Sequence, residues 1–315
     1  PQGLKARVSL SGFDRYSQIA KWCRDEDLRA DRQPEFTQID LEMSFAEEED
    51  VMEVVEGYLV ELFDEVMDIR FDAAFPRMTY QEAMDRYGSD KPDTRFGLEL
   101  IDISDIATET EFQVFSGAVK GGGSVRCINA KATVDKLPRR EIDKLVDFVK
   151  LYRAKGMSWI SVTEDGLKSA ITKFMTEEQI QQILERCGAE VNDTIFFVSD
   201  GDNDVVYNAL GALRLELARK FDLIPAGLWH FLWVTDFPGF EYSPEEKRYV
   251  AKHHPFTSPK DEDMDLLESD PGKVRAKAYD IILNGVELGG GSIRIHDQTL
   301  QQRMFRVLGF TDEQA

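Results

Sequence analysis

The strongest constraint on the fold is a change in sequence pattern that occurs twice along the chain. From about residue 99 to residue 222, short β-like runs alternate with amphipathic helices, and the pattern differs on both sides. Such alternation is typical of a compact α+β module. The chain has 315 residues, which is long for a single minimal core. We therefore predict one domain over residues 1–98, an inserted domain over 99–222, and the first domain resumed over 223–315.

Local patterns predict the individual elements. Apolar residues at helical spacing predict helices over 47–68, 138–154, 176–188 and 203–221. Strand-like runs lie at 17–43 (with a polar loop between two strands), 157–163, 194–199 and 232–238. Ser243-Pro244-Glu245-Glu246 is typical of a helix start, and Asn284-Gly285 is typical of a two-residue hairpin turn.

Composition restricts the class of protein. There are 38 basic and 59 acidic residues, a net charge of −21, which argues against a chain that coats nucleic acid. No run of 18 apolar residues exists, so the sequence argues against a membrane-spanning helix. Three scattered cysteines without CxxC spacing indicate a reducing compartment, and we expect the cytoplasm. The acidic runs at 47–50 and 261–270 are interpreted as solvated faces. The chain lacks an initial methionine, so we expect a piece of a longer protein.

The first candidate site is the strongly polar run at 24–40, which strand-like segments flank. Alternation along a strand places Phe36, Gln38, Asp40 and Glu42 on one face. An aromatic ring, an amide and carboxylates on one face suit a ligand better than a core. Arg24, at the end of the partner strand, offers a guanidinium for a phosphate or carboxylate. An exposed, salt-bridged hairpin is the alternative interpretation.

The second candidate is the hairpin around Asn284-Gly285. Its register would make Asp280 and Glu287 diagonal neighbours on one face, able to share a divalent cation. The alternative is a pair of solvent-facing acids. The glycine run 289–291 lets a ligand approach the backbone, and Arg294 follows it. The adjacent His253 and His254 lack zinc-site spacing. One of them is a candidate hydrogen-bond donor to a substrate, and an ordinary loop or core histidine is the alternative.

Several motifs together carry a resemblance to a known family. They are SGFDRY at 11–16, RDEDLRADRQPEFTQID at 24–40, FPRMTY at 75–80, YGSDKPD at 87–93, HHPFT at 253–257 and ELGGGSIRIHD at 287–297. In this order they resemble the bacterial-type aspartyl-tRNA synthetases over essentially the whole chain. The resemblance implies an α+β fold: part of a class II antiparallel-sheet catalytic core, with motif 2 at 24–40, and an inserted GAD domain.

The resemblance also implies roles for individual residues. The catalytic pair would be Arg24 and Arg294. ATP would be bound by Arg24, Asp25, Glu26, Gln33, Phe36 and Glu287. Aspartate would be bound by Gln2, Lys5, Arg24, Gln38, Asp40, His253 and Arg294, and Mg²⁺ by Asp280 and Glu287. Phe36 would stack on adenine, and Arg294 would bind the side-chain carboxylate of aspartate.

The expected function is that of an aspartate–tRNA ligase, which forms aspartyl-adenylate from L-aspartate and ATP with Mg²⁺ and transfers aspartate to tRNA(Asp). Whether tRNA(Asn) is also charged is left open, as is the role of the insertion. Motif 1, motif 3 and the anticodon-binding domain of the family are expected outside these residues, and the full-length protein is expected to be a homodimer. Two alternatives remain: a catalytically incompetent fragment that only binds ligand or tRNA, and a related asparaginyl- or lysyl-tRNA synthetase.

Overall fold

The computed structural model describes residues 11–23, 33–71 and 74–310. The strands are β1 Arg15–Cys23, β2 Glu35–Met43, β3 Arg77–Thr79, β4 Ile101–Asp102, β5 Ser124–Ala130, β6 Ser158–Thr163, β7 Gly166–Lys168, β8 Thr194–Asp200, β9 Phe231–Thr235, β10 Phe240–Ser243, β11 Arg248–Ala251, β12 Ala278–Leu283 and β13 Val286–Ser292. The helices are α1 Glu48–Met67, α2 Tyr80–Tyr87, α3 Ser104–Thr108, α4 Gln113–Lys120, α5 Arg139–Lys150, α6 Glu177–Arg186, α7 Asn203–Lys220 and α8 Gln298–Val307. Short 3₁₀ turns lie at Val134–Lys136, Thr172–Phe174, Asp261–Leu266 and Pro271–Lys273.

The strands of the described part form four sheets. β1 pairs with β2, and β10 pairs with β11, as two antiparallel ribbons. A four-stranded sheet has the order β13-β12-β9-β3, and a five-stranded sheet has the order β4-β5-β8-β6-β7. Neighbours in the five-stranded sheet are antiparallel. The predicted α+β class with antiparallel sheets is confirmed.

The chain divides into two compact units. One comprises residues 1–76, 235–280 and 289–315, and the other comprises 77–234 and 281–288. The borders at 99 and 222, which the sequence suggests for an inserted domain, stay a prediction.

The second unit has a core on each side of its five-stranded sheet. β8 is buried on both faces because Phe196 and Val198 point into one apolar cluster and Ile195 and Phe197 into the other. Helices α5 and α7 cover the first face, and α3, α4 and α6 cover the second. The nearly continuous apolar sequence of β8 follows from this burial on both faces.

Two helices of this unit show how local chemistry sets their ends. α6 begins with a capping box, in which Thr176 and Gln179 satisfy each other's backbone N–H groups. α5 ends at Lys150, earlier than the predicted residue 154. The helix is followed by turns whose hydrogen bonds run from the N–H of residue i+3 to the carbonyl of residue i. Arg153 then adopts a left-handed backbone with φ +70°.

The predicted helix start at 243–246 is wrong. Ser243 does accept a hydrogen bond from the backbone N–H of Glu246 at 3.2 Å, as a cap would. Lys247 then takes a left-handed conformation and the chain reverses, which pairs Tyr242 with Tyr249 in the β10–β11 ribbon. The β-forming residues after the turn therefore override the local capping signal.

The thiols lie in contrasting environments. Cys23 is exposed at the end of β1. Cys127 in β5 and Cys187 after α6 are both buried as free thiols, and their Sγ atoms share a hydrogen bond at 3.4 Å. The Cys127 contact lowers the pKa of Cys187, whereas burial raises the pKa of Cys127.

Candidate active site

One face of the β1–β2 hairpin gathers the first set of predicted residues. Phe36, Gln38 and Asp40 are half-buried, whereas the residues between them are exposed. Asp40 lies opposite Gln18, whose Nε2 donates to Asp40 Oδ2 at 3.2 Å. The predicted shared face is confirmed for these three residues. It presents a ring, an amide and a carboxylate in a row along one strand.

Residues at the ends of this face are open to solvent. Glu42 is exposed, and Gln33, which precedes β2, is exposed as well. The predicted ligands Gln2, Lys5, Arg24, Asp25 and Glu26 lie outside the described residues.

A second group forms around Arg294, which has an exposed side chain. Its backbone bridges to Thr257, and flanking hydrogen bonds fix this segment: Ser258 N donates to Ile293 O at 2.8 Å. The buried Thr257 also donates through Oγ1 to Ser292 Oγ at 3.3 Å. The backbone beneath Arg294 is thus held on both sides while its guanidinium stays accessible.

The two adjacent histidines differ in their surroundings. His253 packs its ring edge-on against Phe237, with centroids 4.7 Å apart. His254 accepts at Nδ1 from the backbone N–H of Phe256 at 3.2 Å. Partial burial lowers the pKa of His254, and the nearby charge of Arg294 lowers it further. The charge of Arg294 therefore acts on His254, and the role that the resemblance implies for His253 stays a prediction.

The glycine run lies against the strand that carries Asp280. A Cβ added to Gly290 would overlap Oδ1 of Asp280, and one added to Gly291 would lie 2.7 Å from the Tyr279 ring. Gly291 therefore leaves space for the rigid Tyr279 ring, and Gly290 lets the Asp280 carboxylate lie against bare backbone. Burial raises the pKa of Tyr279 to about 12, with a further contribution from the Glu48 carboxylate.

The predicted cation ligands were tested against the described side chains. Within those ranges no three Asp, Glu, His or Cys side chains converge on one point, so no all-protein metal cage exists there. Mg²⁺ commonly takes only one or two carboxylates and completes its shell with phosphate oxygens and water. Asp280, half-buried against bare backbone, and the exposed Glu287 provide hard oxygen donors of this kind. Each carboxylate, taken by itself, fits Mg²⁺ that completes its shell with phosphate oxygens and water.

A half-buried charge cluster at the start of α1 was not predicted from the sequence. Lys260 Nζ bonds both Glu48 Oε2 and Asp236 Oδ1, each at 2.8 Å. Burial alone would lower the pKa of Lys260, but these two carboxylates raise it. Burial also raises the pKa of Glu48. A signal was present: Glu48 lies four residues before the buried Met52 and so shares its helix face.

Comparison with known proteins bears on this arrangement. The sequence model of the class II tRNA synthetases (D, K and N) matches residues 1–315. The chain belongs to this family. Its antiparallel sheets and the polar hairpin face are the features expected of a class II synthetase.

Two of the matching relatives are named as aspartate–tRNA ligases. The chain is 58% identical over 315 residues to the aspartate–tRNA(Asp/Asn) ligase of Caldanaerobacter subterraneus subsp. tengcongensis, covering all of this chain and 53% of the relative. It is 58% identical over 316 residues to the aspartate–tRNA ligase of Ruminiclostridium cellulolyticum, with the same coverage. The chain therefore spans about half the length of the curated relatives it matches. No helix in the described ranges is long and apolar enough to cross a membrane.

Proposed function

We propose that the chain is the catalytic core of an aspartate–tRNA ligase, with ATP, L-aspartate and tRNA(Asp) as substrates. The observation that carries this proposal is the half-buried face of the β1–β2 hairpin, which presents Phe36, Gln38 and Asp40 in one row. Relatives named as aspartate–tRNA ligases match along the whole chain and support it. The same support disfavours the asparaginyl and lysyl alternatives.

ATP would lie along this face. A flat, half-buried ring such as Phe36 suits stacking against adenine. Arg24, Asp25, Glu26 and Gln33 belong to the polar loop that precedes the face, and Arg24 would neutralise the α-phosphate. Glu287 would contribute to binding at the phosphate end of ATP.

Aspartate would be recognised by charge complementarity. Arg294 can donate two parallel hydrogen bonds to the two carboxylate oxygens of the substrate side chain, and an asparagine amide cannot accept both. Asp40, with Gln18 bonded to it, and Gln38 would meet the ammonium group. The remaining contacts proposed for aspartate are those of Gln2, Lys5, Arg24 and His253.

The activation step needs little acid–base chemistry. The α-carboxylate of aspartate is already ionised at neutral pH and attacks the α-phosphorus of ATP in line, with pyrophosphate as the leaving group. The protein's contribution is positioning and charge neutralisation by Arg24 and Arg294. Asp280 and Glu287 would hold Mg²⁺, which neutralises charge on the phosphates when bound. Transfer to the terminal ribose of the tRNA would follow.

The broader setting of the longer protein is also proposed. A homodimer and a cytoplasmic location are the expectations for an enzyme of this kind. Charging of tRNA(Asn) is an open possibility that the name of one relative raises for that relative.

Aspartate-dependent ATP–pyrophosphate exchange and tRNA aminoacylation test the proposal in the full-length protein. Arg294→Ala should lower kcat/KM for aspartate by about 100-fold or more, the size expected when one partner of a charge-assisted pair is removed. Arg306→Ala, an equal charge change at an exposed position of α8, is the matched control. Equal activity of both variants would refute the role of Arg294, and absence of exchange in the unmodified protein would refute the function. The 315-residue chain assayed alongside decides whether it is active or incompetent alone.

A further inference from the structure

The segment 88–96, here called the 88–96 loop, is polar in sequence, yet several of its residues are buried in the second unit. Pro92, Asp93 and Phe96 are buried. At its start the loop backbone touches helix α7: a Cβ on Gly211 would overlap the carbonyl oxygen of Gly88 and lie 2.9 Å from its carbonyl carbon. The absence of side chains at both positions lets helix and loop meet backbone to backbone.

Arg214, one turn further along α7, holds the rest of this loop. It is only 1% exposed, and its Nη2 donates to the carbonyl oxygens of Asp93 and Phe96, each at 2.8 Å. The guanidinium also lies over the rings of Phe96 and Tyr87, 4.0 and 4.8 Å from their centroids. Burial lowers the pKa of Arg214 to about 10, so the side chain remains a cation at neutral pH.

A buried cation is costly to place, and its partners here are backbone carbonyls and rings. Simple core filling is achieved more cheaply by an apolar residue of similar size. What an arginine adds is a fixed fork that sets the path of the loop backbone. The question is then what this loop supports.

The 88–96 loop supports the turn of the β12–β13 hairpin. Arg95 forks onto Asp93 at 2.9 and 2.6 Å, and a Cβ on Gly285 would lie 3.0 Å from the Cβ of Asp93. On its other side the turn is held by Asn284, whose Oδ1 accepts from His230 N at 2.9 Å and whose Nδ2 donates at 2.8 Å to a second backbone carbonyl, that of Leu228. Asn284 and Gly285 both have positive φ, +52° and +82°, as a two-residue hairpin turn requires.

We infer that Arg214 is a positioning residue for Glu287, acting through the 88–96 loop and the Asn284-Gly285 turn. Glu287 lies two residues beyond Gly285 on β13 and is itself exposed, so its position follows that of the turn. This inference rests on the proposed function, in which Glu287 binds Mg²⁺ with the ATP phosphates. It gives the second unit a task in the reaction: to hold the turn that precedes a metal ligand.

The test uses the full-length protein carrying Arg214→Met, which keeps an unbranched apolar stem but removes the guanidinium and with it both hydrogen bonds. Arg219→Met, at an exposed position of the same helix, is the matched control. Binding of Mn²⁺ with a non-hydrolysable ATP analogue is followed by electron paramagnetic resonance. Arg214→Met should weaken Mn²⁺ binding by roughly 10-fold, the lower end of the effects seen for residues that orient metal ligands. Arg214→Lys, which retains a cationic donor, should recover part of the affinity.

Hydrogen–deuterium exchange of the metal-free proteins gives a readout that does not depend on activity. In Arg214→Met, exchange should accelerate in peptides covering 88–96 and 281–288, while β5 and β8 stay protected. Mn²⁺ affinity and exchange equal to those of Arg219→Met would overturn the inference. Should Arg214→Met fail to fold, Asn284→Gly decides, since glycine suits the turn but removes both side-chain bonds: weakened Mn²⁺ binding supports the inference and unchanged binding overturns it.

The two proposals fail in different ways. Absence of aspartate-dependent exchange in the unmodified protein rejects the proposed function. Normal exchange with unaltered Mn²⁺ binding in Arg214→Met and Asn284→Gly rejects only the role of Arg214. Absence of Mn²⁺ binding in the unmodified protein rejects the metal assignment of Glu287, and the inference with it.

Discussion

Gly290→Ala tests the packing of the glycine run against the candidate metal ligand Asp280. The added methyl carbon would overlap Oδ1 of Asp280 and lie 3.0 Å from its Cγ. To restore ordinary van der Waals separation the carboxylate must move by roughly 1 Å. Because the obstructing atoms are the end of a side chain, rotation of Asp280 relieves most of the clash. The free energy of unfolding should therefore fall by only about 1 kcal/mol, the mild end of overpacking.

Activity should respond far more strongly than stability. Displacement of a reacting group by 1 Å can cost about 100-fold in rate, so kcat/KM in aspartate-dependent ATP–pyrophosphate exchange should fall by about that factor. Gly289→Ala is the matched control, because an added Cβ there meets nothing within 4 Å. It should retain activity within about twofold, as expected for a substitution that touches nothing.

Both variants are made in the full-length protein and compared by exchange kinetics and by urea denaturation. The reasoning is refuted if Gly290→Ala exchanges as fast as Gly289→Ala. A large loss of stability in Gly290→Ala would refute the expectation that Asp280 alone gives way.

Two further predictions concern stability. Gly211→Ala should destabilise the protein by about 3 kcal/mol, because the new methyl meets the backbone of Gly88, which cannot rotate away. The control is Gly117→Ala in α4, where an added Cβ meets nothing within 4 Å. In the same urea titration it should stabilise the protein by up to about 1 kcal/mol. Asp263→Asn should cost about 2 kcal/mol at pH 7, because the buried Asp263 accepts both prongs of Arg275 at 2.8 and 3.0 Å, while the half-exposed Arg275 can turn to water. Arg275 lowers the pKa of Asp263 below 3.8, so the native protein loses this advantage as the pH falls below that value. A difference between native and Asp263→Asn protein that stayed constant as the pH fell below 3.8 would contradict the assignment.

Much of the fold was predictable because local signals agreed with the tertiary structure. The helix at 47–68, the capped helix after Thr176 and the turn at Asn284-Gly285 all appear where their patterns indicate. The Ser243 cap was misleading because strand pairing competed with it and won. Such competition is decided by residues that follow the signal, which a local rule does not weigh.

The candidate site was predictable only as far as side-chain alternation reaches. Period-two alternation was enough to put Phe36, Gln38 and Asp40 on one face. The acidic run at 47–50 was expected to be solvated, but Glu48 is bonded to Lys260, which is distant in sequence. The run at 261–270 likewise hides the buried Asp263. Charge in a sequence does not reveal a partner 200 residues away, since only the fold brings the two together.

Because one thiol is exposed and two are buried, thiol labelling can measure local opening of the protein. A thiol reagent should reach the exposed Cys23 at once, whereas Cys127 and Cys187 react only when the sheet that contains β5 separates from its covering helices. The rate of that slow labelling gives the free energy of opening of the second unit alone. Comparing this labelling rate with and without a ligand of the first unit therefore shows whether binding there changes the free energy of opening of the second unit.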